Sequence, residues 1–440
     1  MRLPDRIGWA IAGLWWVNAA WSTWCVHASV HHLRHLADAR RTAPKPPGTL
    51  AECSIVVVVP MLHEADRAAD CAGHWCKLLD HHPALRLCAV TTERENHEAP
   101  TGMHTWDALT TDPAFQRANA AGRAEILHYP YVNRTYGEQL GWALDHLITR
   151  TPAPDYLYVA NIDSRLSSHG CAEIIELAAA GVEVAQQSSV FVGNLDELGP
   201  VATAEAFYQS RWTFEHEIFR YLAGSGQLTW LPRWLRAHWY QHTVGHGLLI
   251  ATTTYRAVGG LPRPRYGLED AALGVILRTT GRRIQPFSSL ECGDAPRTVR
   301  ELHRQRATWI RGPLCAPEYI HHPRDLPVAV QGCYGGLKWA LGLPAQVLVL
   351  AVLSPRQRLL AVTGWLLTQY GPLLRLLAGL PGVEFPHQYR PSRRHVARAV
   401  TVYPIAALSC WAGGIRGLYR LLRDMTFGQQ AIQHRTRETA

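Results

Sequence analysis

The sequence predicts an α/β domain with a mostly parallel, doubly wound sheet, flanked by transmembrane helices. Short β-branched runs alternate with helical stretches from residue 52 onward, which is the pattern of strand–helix–strand units. Several of these runs end abruptly in polar residues. Long apolar stretches lie towards both ends of the chain, and basic residues are concentrated beside them. The first two observations indicate the sheet, and the third indicates contact with a membrane.

The first element is an apolar N-terminal segment. Ile7–Val30 contains no Asp, Glu, Lys or Arg and is long enough to cross a bilayer as a helix. It is too long for the apolar part of a signal peptide and lacks a convincing small-residue cleavage site, so we expect an uncleaved span. Arg34, Arg40, Arg41 and Lys45 follow, before a proline-rich linker. The positive-inside rule therefore places the next residues in the cytoplasm.

The central region contains the predicted sheet. Its strands are short apolar runs, as expected of parallel strands that are covered on both faces. Neither a glycine-rich dinucleotide motif nor a P-loop follows the first strand, which removes the usual support for those functions. The predicted strands are Ser54–Val59, Leu85–Thr92, Glu125–Tyr129, a run from Tyr156 and Val182–Phe191, with helices ending near Leu79 and spanning about Gly137–Thr149.

Polar residues stand at the carboxyl ends of two of these strands. In Tyr156–Arg165 the apolar run ends at Asn161 and Asp163, and the second strand runs into Glu93 and Glu95. Ligands of open α/β sheets bind beyond the carboxyl ends of the strands, so Asp163 is placed to hold a metal ion. The competing interpretation is an aspartate that caps the next helix.

Two later motifs also combine charged and aromatic residues. Leu268-Glu269-Asp270 opens an apolar helix, and Gln305-Arg306-Ala307-Thr308-Trp309 lies on a helix that precedes Arg311. A positioned carboxylate is one interpretation of the first motif, and helix capping is the other. The second motif has a solvated helix face as its alternative.

In this order, the motifs resemble those of the inverting family 2 glycosyltransferases, in the membrane-embedded branch that contains cellulose, chitin and hyaluronan synthases. The resemblance covers about residues 52–312 and the flanking apolar segments. Asn161-Ile162-Asp163 stands in the place of an Asp-x-Asp motif, Leu268-Glu269-Asp270 in that of Thr/Ser-Glu-Asp, and Gln305 to Trp309 in that of Gln-x-x-Arg-Trp. The resemblance implies a Rossmann-like GT-A domain that uses a nucleotide-sugar donor and Mg²⁺ or Mn²⁺.

The resemblance also implies roles for individual residues. Asp270, with Glu269, takes the position of the catalytic base. The remaining residues are assigned to donor binding (Glu93, Glu95, Asn161 and Asp163, with Asp163 as metal ligand) and to acceptor or diphosphate binding (Gln305, Arg306, Trp309 and Arg311).

Three departures from the family pattern concern the donor and the product length. Asn161 replaces the first aspartate, so the metal site has one carboxylate fewer unless Glu93 or Glu95 contributes. Thr92-Glu93 replaces an aspartate pair that holds the nucleoside. Thr308 replaces an arginine, and Arg306 or Arg311 are the residues that would compensate for its absence.

The rest of the chain is interpreted as membrane-associated. Residues 1–50 and 381–440 carry 15 of the 44 basic and 5 of the 35 acidic residues, so the remainder is nearly neutral and does not suit nucleic acid. The ten cysteines show no pairing pattern and are interpreted as free thiols. With Ile7–Val30, the predicted spans are Gly336–Leu353, Leu359–Leu380 and Val396–Tyr419; the predicted divisions are 1–50, 51–315, 316–425 and a basic tail, 426–440.

The sequence therefore predicts an inner-membrane, multi-pass enzyme with a cytoplasmic catalytic domain. It is expected to move a sugar from a nucleotide diphosphate, most simply UDP, to a growing oligo- or polysaccharide. Transfer of one sugar to a lipid carrier such as polyprenyl phosphate is the enzymatic alternative, and an inactive membrane scaffold is the non-enzymatic one. The expected partners are a nucleotide-sugar, a saccharide or lipid-linked acceptor and membrane lipids.

Overall fold

The computed structural model describes residues 4–42, 53–99, 101–132, 135–233, 236 and 239–428. Most of the predicted proline-rich linker, and the predicted basic tail beyond residue 428, lie outside these ranges.

A seven-stranded, mostly parallel sheet forms the centre of the α/β region. Its strand order is β3-β2-β1-β4-β7-β5-β8, and β6 and β9 form a separate two-stranded sheet. Strand β7 runs antiparallel to both of its neighbours. The strands are β1 Ile55–Pro60, β2 Leu85–Thr92, β3 Ala124–Tyr129, β4 Tyr156–Val159, β5 Val184–Gln186, β6 Ser189–Val190, β7 Leu248–Ala251, β8 Gln285–Pro286 and β9 Glu291–Cys292.

The register of the central strands explains where a site forms. Val58 of β1 pairs with Cys88 of β2 on one side and with Val159 of β4 on the other. All residues of β1 and β4 are buried, as their continuous apolar sequence predicts. Because β1, β2 and β4 are parallel, their carboxyl ends meet at one edge of the sheet.

The predicted strand Val182–Phe191 is wrong as a single element. Its first part is β5 of the large sheet, and its last part is β6, which pairs with β9. The chain changes sheet at Gln187, whose backbone N–H donates to the carbonyl oxygen of Gly247 at 2.7 Å. Buried glutamine and serine side chains occupy this crossover.

Helices cover both faces of the sheet and extend beyond it at both ends of the chain. A π-helical segment, Thr213–Ile218, continues α8 into α9. The helices are α1 Asp5–Thr42, α2 Ala65–His81, α3 Glu93–Glu98, α4 Thr105–Thr111, α5 Pro113–Ala120, α6 Tyr136–Ile148, α7 Ser168–Ala179, α8 Pro200–Trp212, α9 Phe219–Ser225, α10 Thr252–Ala257, α11 Glu269–Thr279, α12 Val299–Trp309, α13 Arg311–Leu314, α14 Leu326–Val352, α15 Pro355–Gly379 and α16 Arg393–Phe427.

Two of the described helices are long and apolar enough to cross a membrane. They are Pro323–Val352 and Arg393–Phe427. The other two predicted spans lie in α1 and α15, which are helical but less apolar. Four spans were predicted, so length and composition support two of them.

The flanking helices pack against the α/β region rather than standing apart from it. Val26 and Leu33 of α1 share one buried cluster with Phe214 and Phe219 of the π-helical segment and α9, and with Leu376 of α15. Helix α16 packs on α8 and α12. The apolar helix α16 therefore also packs on α12, the helix that contains Gln305 to Trp309.

Candidate active site

Asp163 and Asn161 lie in a tight turn directly after β4. The backbone N–H of Asn161 donates to Oγ of Ser164 at 3.0 Å, and Oδ2 of Asp163 accepts from the backbone N–H of Asp294 at 2.9 Å. Both Asn161 and Asp163 are partly exposed. The turn therefore presents an amide and a carboxylate at the carboxyl edge of the sheet.

Asp270 occupies the first turn of α11. Its Oδ1 accepts from the backbone N–H of Ala271 at 2.6 Å, and the backbone of Gly245 provides a further hydrogen bond. Burial, and next the charge of Glu269, raise the pKa of Asp270 to about 7. A carboxylate with this pKa can accept a proton near neutral pH.

Tyr136 connects the turn that contains Asn161 and Asp163 to the segment that contacts Asp270. Its hydroxyl group lies 3.2 Å from Oδ1 of Asn161 and 3.4 Å from the carbonyl oxygen of Gly245, the residue whose backbone holds Asp270. Burial, followed by the charges of nearby carboxylates that include Asp270 and Asp163, raises the pKa of the Tyr136 phenol. Asp163 and Asp270 thus belong to one site.

Glu269 is more deeply placed than Asp270. Its side chain is buried and packs against Gly137, where an added Cβ would lie 2.5 Å from the carboxyl carbon. The contact requires glycine at position 137, since a larger residue would displace the carboxylate. Glu269 acts on the site through its charge on Asp270.

The two glutamates after β2 have different surroundings. Oε2 of Glu93 lies 2.9 Å from Nε2 of His128 and accepts from the Asn96 amide at 2.9 Å, and these bonds lower the pKa of Glu93. Glu95 is buried, and its Oε1 accepts from both the backbone N–H and the hydroxyl group of Thr105, each at 2.9 Å. Glu93 is exposed at the sheet edge, whereas Glu95 anchors the start of α4.

Trp309 lies at the margin of the same site. Its ring centroid is 6.4 Å from that of Phe191. Phe191 in turn borders Gly293, where an added Cβ would lie 3.8 Å from the Phe191 ring and 3.7 Å from Oδ2 of Asp163. Gln305, one helical turn before Trp309, is partly exposed.

The two arginines of the same motif region point into helix–helix contacts. Arg306 is buried; its guanidinium lies 3.7 Å from the carboxylate of Glu205 and donates to Oε1 of Gln209 at 3.2 Å. Arg311 pairs with Asp424 of α16 at 2.7 Å. Both charges are therefore compensated within the protein.

Several residues around the site were not identified from the sequence. Tyr136, Asp294, His246 and Glu291 all lie within it, and His63, three residues after β1, has a φ of 54°. The sequence signals were a Gly-His-Gly turn and acidic residues flanking a Cys-Gly pair. These residues are far apart in the sequence, and only the folded sheet brings them together.

The residues of the site fit a divalent metal ion that is bound jointly by the protein and by a ligand. Among the described residues, no group of three or more His, Cys, Asp or Glu side chains is arranged to hold a metal ion. Asp163 offers one partly exposed carboxylate, with the Asn161 amide oxygen beside it. Mg²⁺ characteristically binds through one or two carboxylates together with phosphate oxygens and water, so this donor set is sufficient only when a diphosphate is present.

Comparisons with known proteins show the fold of a glycosyltransferase. The chain is similar to the mannosyltransferase PcManGT from Pyrobaculum calidifontis, in complex with GDP-Man and Mn²⁺, with a TM-score of 0.51 and 13% identity over 92% of this chain and 99% of that chain. S. aureus TarS 1-349 in complex with UDP-GlcNAc aligns with a TM-score of 0.38 and 9% identity over 86% of this chain and 92% of that chain. No protein-family model and no curated protein matches the sequence.

Proposed function

We propose that the protein is an inverting glycosyltransferase that moves a sugar from a nucleotide diphosphate to an acceptor hydroxyl group. The observation that supports the proposal is that Tyr136 links the turn of Asn161 and Asp163 to Gly245, whose backbone contacts Asp270, in a fold similar to that of a mannosyltransferase. Asp163 would lie on the donor side of the site, and Asp270 has a pKa suited to proton transfer.

The donor would bind at the carboxyl edge of the sheet. Asp163, with the amide oxygen of Asn161, would hold Mg²⁺ or Mn²⁺ against the diphosphate, and the metal would stabilise the charge of the leaving group. Glu93 would lie near the nucleoside, because β2 is two strands away from β4, at a distance of roughly 10 Å across the strand ends. GDP-Man and Mn²⁺ occupy PcManGT, so UDP- and GDP-linked sugars are both candidates.

Asp270 would act as the general base. As the acceptor oxygen forms a bond to the anomeric carbon, the bond from that carbon to the diphosphate oxygen breaks and the acceptor proton moves to Asp270. The buried Glu269 would keep Asp270 ready to accept that proton by raising its pKa. A single base and a single displacement invert the anomeric configuration.

Trp309 would support the acceptor, because a flat aromatic ring stacks on the apolar face of a sugar. We propose a short oligosaccharide or polysaccharide as the product. A lipid-linked acceptor is a second candidate, because α12, which carries Trp309, packs on the apolar helix α16. Trp339 of α14 also lies close to this junction, with the Arg306 guanidinium 6.0 Å from its ring.

The apolar helices would attach the enzyme to the inner membrane. We propose that α14 and α16 cross the bilayer, together with α1 and α15, and that the catalytic region is cytoplasmic. Basic residues follow the apolar part of α1, which favours this orientation. Protease added to intact spheroplasts should spare residues 53–312; cleavage there would reverse the proposed orientation.

The decisive experiment measures transfer directly. Membranes that contain the protein are incubated with radiolabelled UDP- and GDP-sugars, and the products are sized and tested for extraction into organic solvent. Label in a water-soluble oligosaccharide supports the main proposal, and label in the organic phase supports the lipid-linked acceptor. If no sugar is transferred above the level of an Asp270→Asn control, the inactive-scaffold alternative replaces both.

A further inference from the structure

The turn Gly245–Gly247 fixes the backbone of His246 at the candidate site. Gly247 has a φ of +68°, its N–H donates to the carbonyl oxygen of Val159 at 2.6 Å, and its carbonyl oxygen accepts from Gln187. An added Cβ at position 247 would lie 2.2 Å from the Gln187 carbonyl oxygen. Only glycine fits this conformation and spacing, so the backbone at His246 is pinned to the ends of β4 and β5.

One nitrogen of the His246 ring is engaged by the protein. Nδ1 forms an ion pair with the carboxylate of Glu291 and lies 3.3 Å from Oγ of Ser189. Glu291 is almost fully buried, while the His246 side chain keeps 11% exposure. Within the described part of the chain, no hydrogen-bond partner is found for Nε2 of this ring. The carboxylate keeps a proton on Nδ1, so Nε2 is a hydrogen-bond donor when the ring is protonated on both nitrogens.

The charges around His246 make the ring a cation at neutral pH. Burial opposes the charged form, but the carboxylates of Glu291, Asp163 and Glu217 outweigh it and raise the pKa of His246 to about 9. The ring also lies within electrostatic range of Asp270. A strongly anionic diphosphate that enters this group of carboxylates needs positive charge from the protein or a metal.

The arginines of the Gln305–Trp309 region do not supply that charge directly. Arg306 is compensated by Glu205, and Arg311 by Asp424. His246 lies within electrostatic range of Asp163, and its protonated ring has a donor at Nε2.

We propose that Nε2 of His246 donates a hydrogen bond to the diphosphate of the sugar donor, and that Glu291 is the positioning residue that orients the ring. The inference rests on the proposed function and deepens it. The Asn-x-Asp motif of this site provides one carboxylate, and His246 is the protein cation that would stabilise the negative charge of the leaving diphosphate.

Calorimetric titration of the purified full-length protein tests this contact. UDP and GDP, each with Mn²⁺, are compared with uridine and guanosine. His246→Asn keeps an amide near the Nδ1 position for Glu291 but removes the Nε2 donor. We expect it to weaken binding of the nucleoside diphosphate by about tenfold to a hundredfold, with nucleoside binding unchanged. The matched control is His81→Asn, at the exposed C-terminal end of α2.

A second variant separates the positioning role from a packing role. Glu291→Gln should weaken diphosphate binding at pH 8.5 and restore it towards the wild-type value at pH 6, because the ring then needs solvent protons to stay charged. Wild-type affinity in His246→Asn, equal losses for nucleoside and nucleoside diphosphate, or a pH-independent loss in Glu291→Gln would overturn the inference. Wild-type protein that binds neither UDP nor GDP would count against the proposed function itself.

Discussion

The hydroxyl group of Tyr136 donates a hydrogen bond of 3.2 Å to Oδ1 of Asn161. Asn161, which stands where the resemblance predicts an aspartate, is therefore held in place by a neutral partner from α6. The same phenol approaches the carbonyl oxygen of Gly245, so one side chain links the turn after β4 to the segment whose backbone contacts Asp270.

This contact leads to a prediction about the metal. Asp163 provides the carboxylate of the Asn-x-Asp motif, so Asp163→Ala should abolish transfer, and excess chelator should do the same to the wild type. Asn161→Asp should retain or raise activity and lower the Mn²⁺ concentration needed for half-maximal rate, because a carboxylate also accepts from Tyr136 and adds a charged ligand. Transfer is measured against Mn²⁺ and Mg²⁺ concentration. Full wild-type turnover in chelator would contradict metal dependence.

A second prediction concerns the pH dependence of transfer. Asp270 must be ionised to accept a proton, and its pKa is raised to about 7, so kcat/KM should fall as the pH drops below about 7. Asp270→Asn should lose about 100- to 10,000-fold in rate with nucleotide binding retained, whereas Asp80→Asn, on the surface of α2, should not.

Glu269→Gln provides a sharper check of the cause. The Glu269 charge contributes to the raised pKa of Asp270, so its removal should shift the acidic limb of the pH–rate profile to lower pH. A limb that stays in place, or moves to higher pH, would show that Glu269 does not act through Asp270.

The sequence predicted those parts of the fold that local patterns determine. The second strand, Leu85–Thr92, has the predicted bounds, and the helix that begins at Glu269 starts as expected. The free state of the cysteines is confirmed among the described residues. These features depend on apolar runs and capping signals, which are readable within ten or so residues.

The parts that were missed depend on contacts between distant segments. Nothing local in Val182–Phe191 shows that its ends join different sheets, because the change is imposed by Gly247, some sixty residues later in sequence. The same is true of Tyr136 and His246, which face the site only after α6 and the turn before β7 are in place. The burial of Arg306 requires the packing of α8 and α16 around it.

A third prediction tests the buried charge at this junction. Arg306→Met leaves the Glu205 carboxylate without its partner and should destabilise the protein by about 3–5 kcal/mol. Burial, opposed by Arg306, raises the pKa of Glu205 to about 7, above its unfolded value. The ionised carboxylate of Glu205 therefore destabilises the folded protein above pH 7. The loss of unfolding free energy in Arg306→Met should be larger at pH 8 than at pH 5.5, where Glu205 takes up a proton.

Denaturant unfolding of the detergent-solubilised protein at the two pH values measures this difference. The double variant Glu205→Gln with Arg306→Met should recover part of the stability at pH 8. Arg282→Met, which removes an exposed ion pair with Glu183, is the control and should cost less than about 1 kcal/mol. Equal destabilisation by Arg306→Met at both pH values would show that packing, not charge, dominates.

The last prediction concerns product length, for which Thr308 and Trp309 give opposite indications. Trp309 lies beside Phe191 at the margin of the site, where it can stack on the acceptor. Thr308 bonds to the Arg304 carbonyl oxygen of its own helix and brings no charge, although one charged hydrogen bond contributes about 1.5–3 kcal/mol. We therefore expect a short-chain product, which Thr308→Arg lengthens and the uncharged control Thr308→Met does not.

Trp309→Ala should reduce transfer of the sugar to the acceptor and spare nucleotide binding. Mass spectrometry of the products decides between the cases: if the wild type and Thr308→Arg both add a single sugar, transfer to one acceptor replaces chain extension as the reaction.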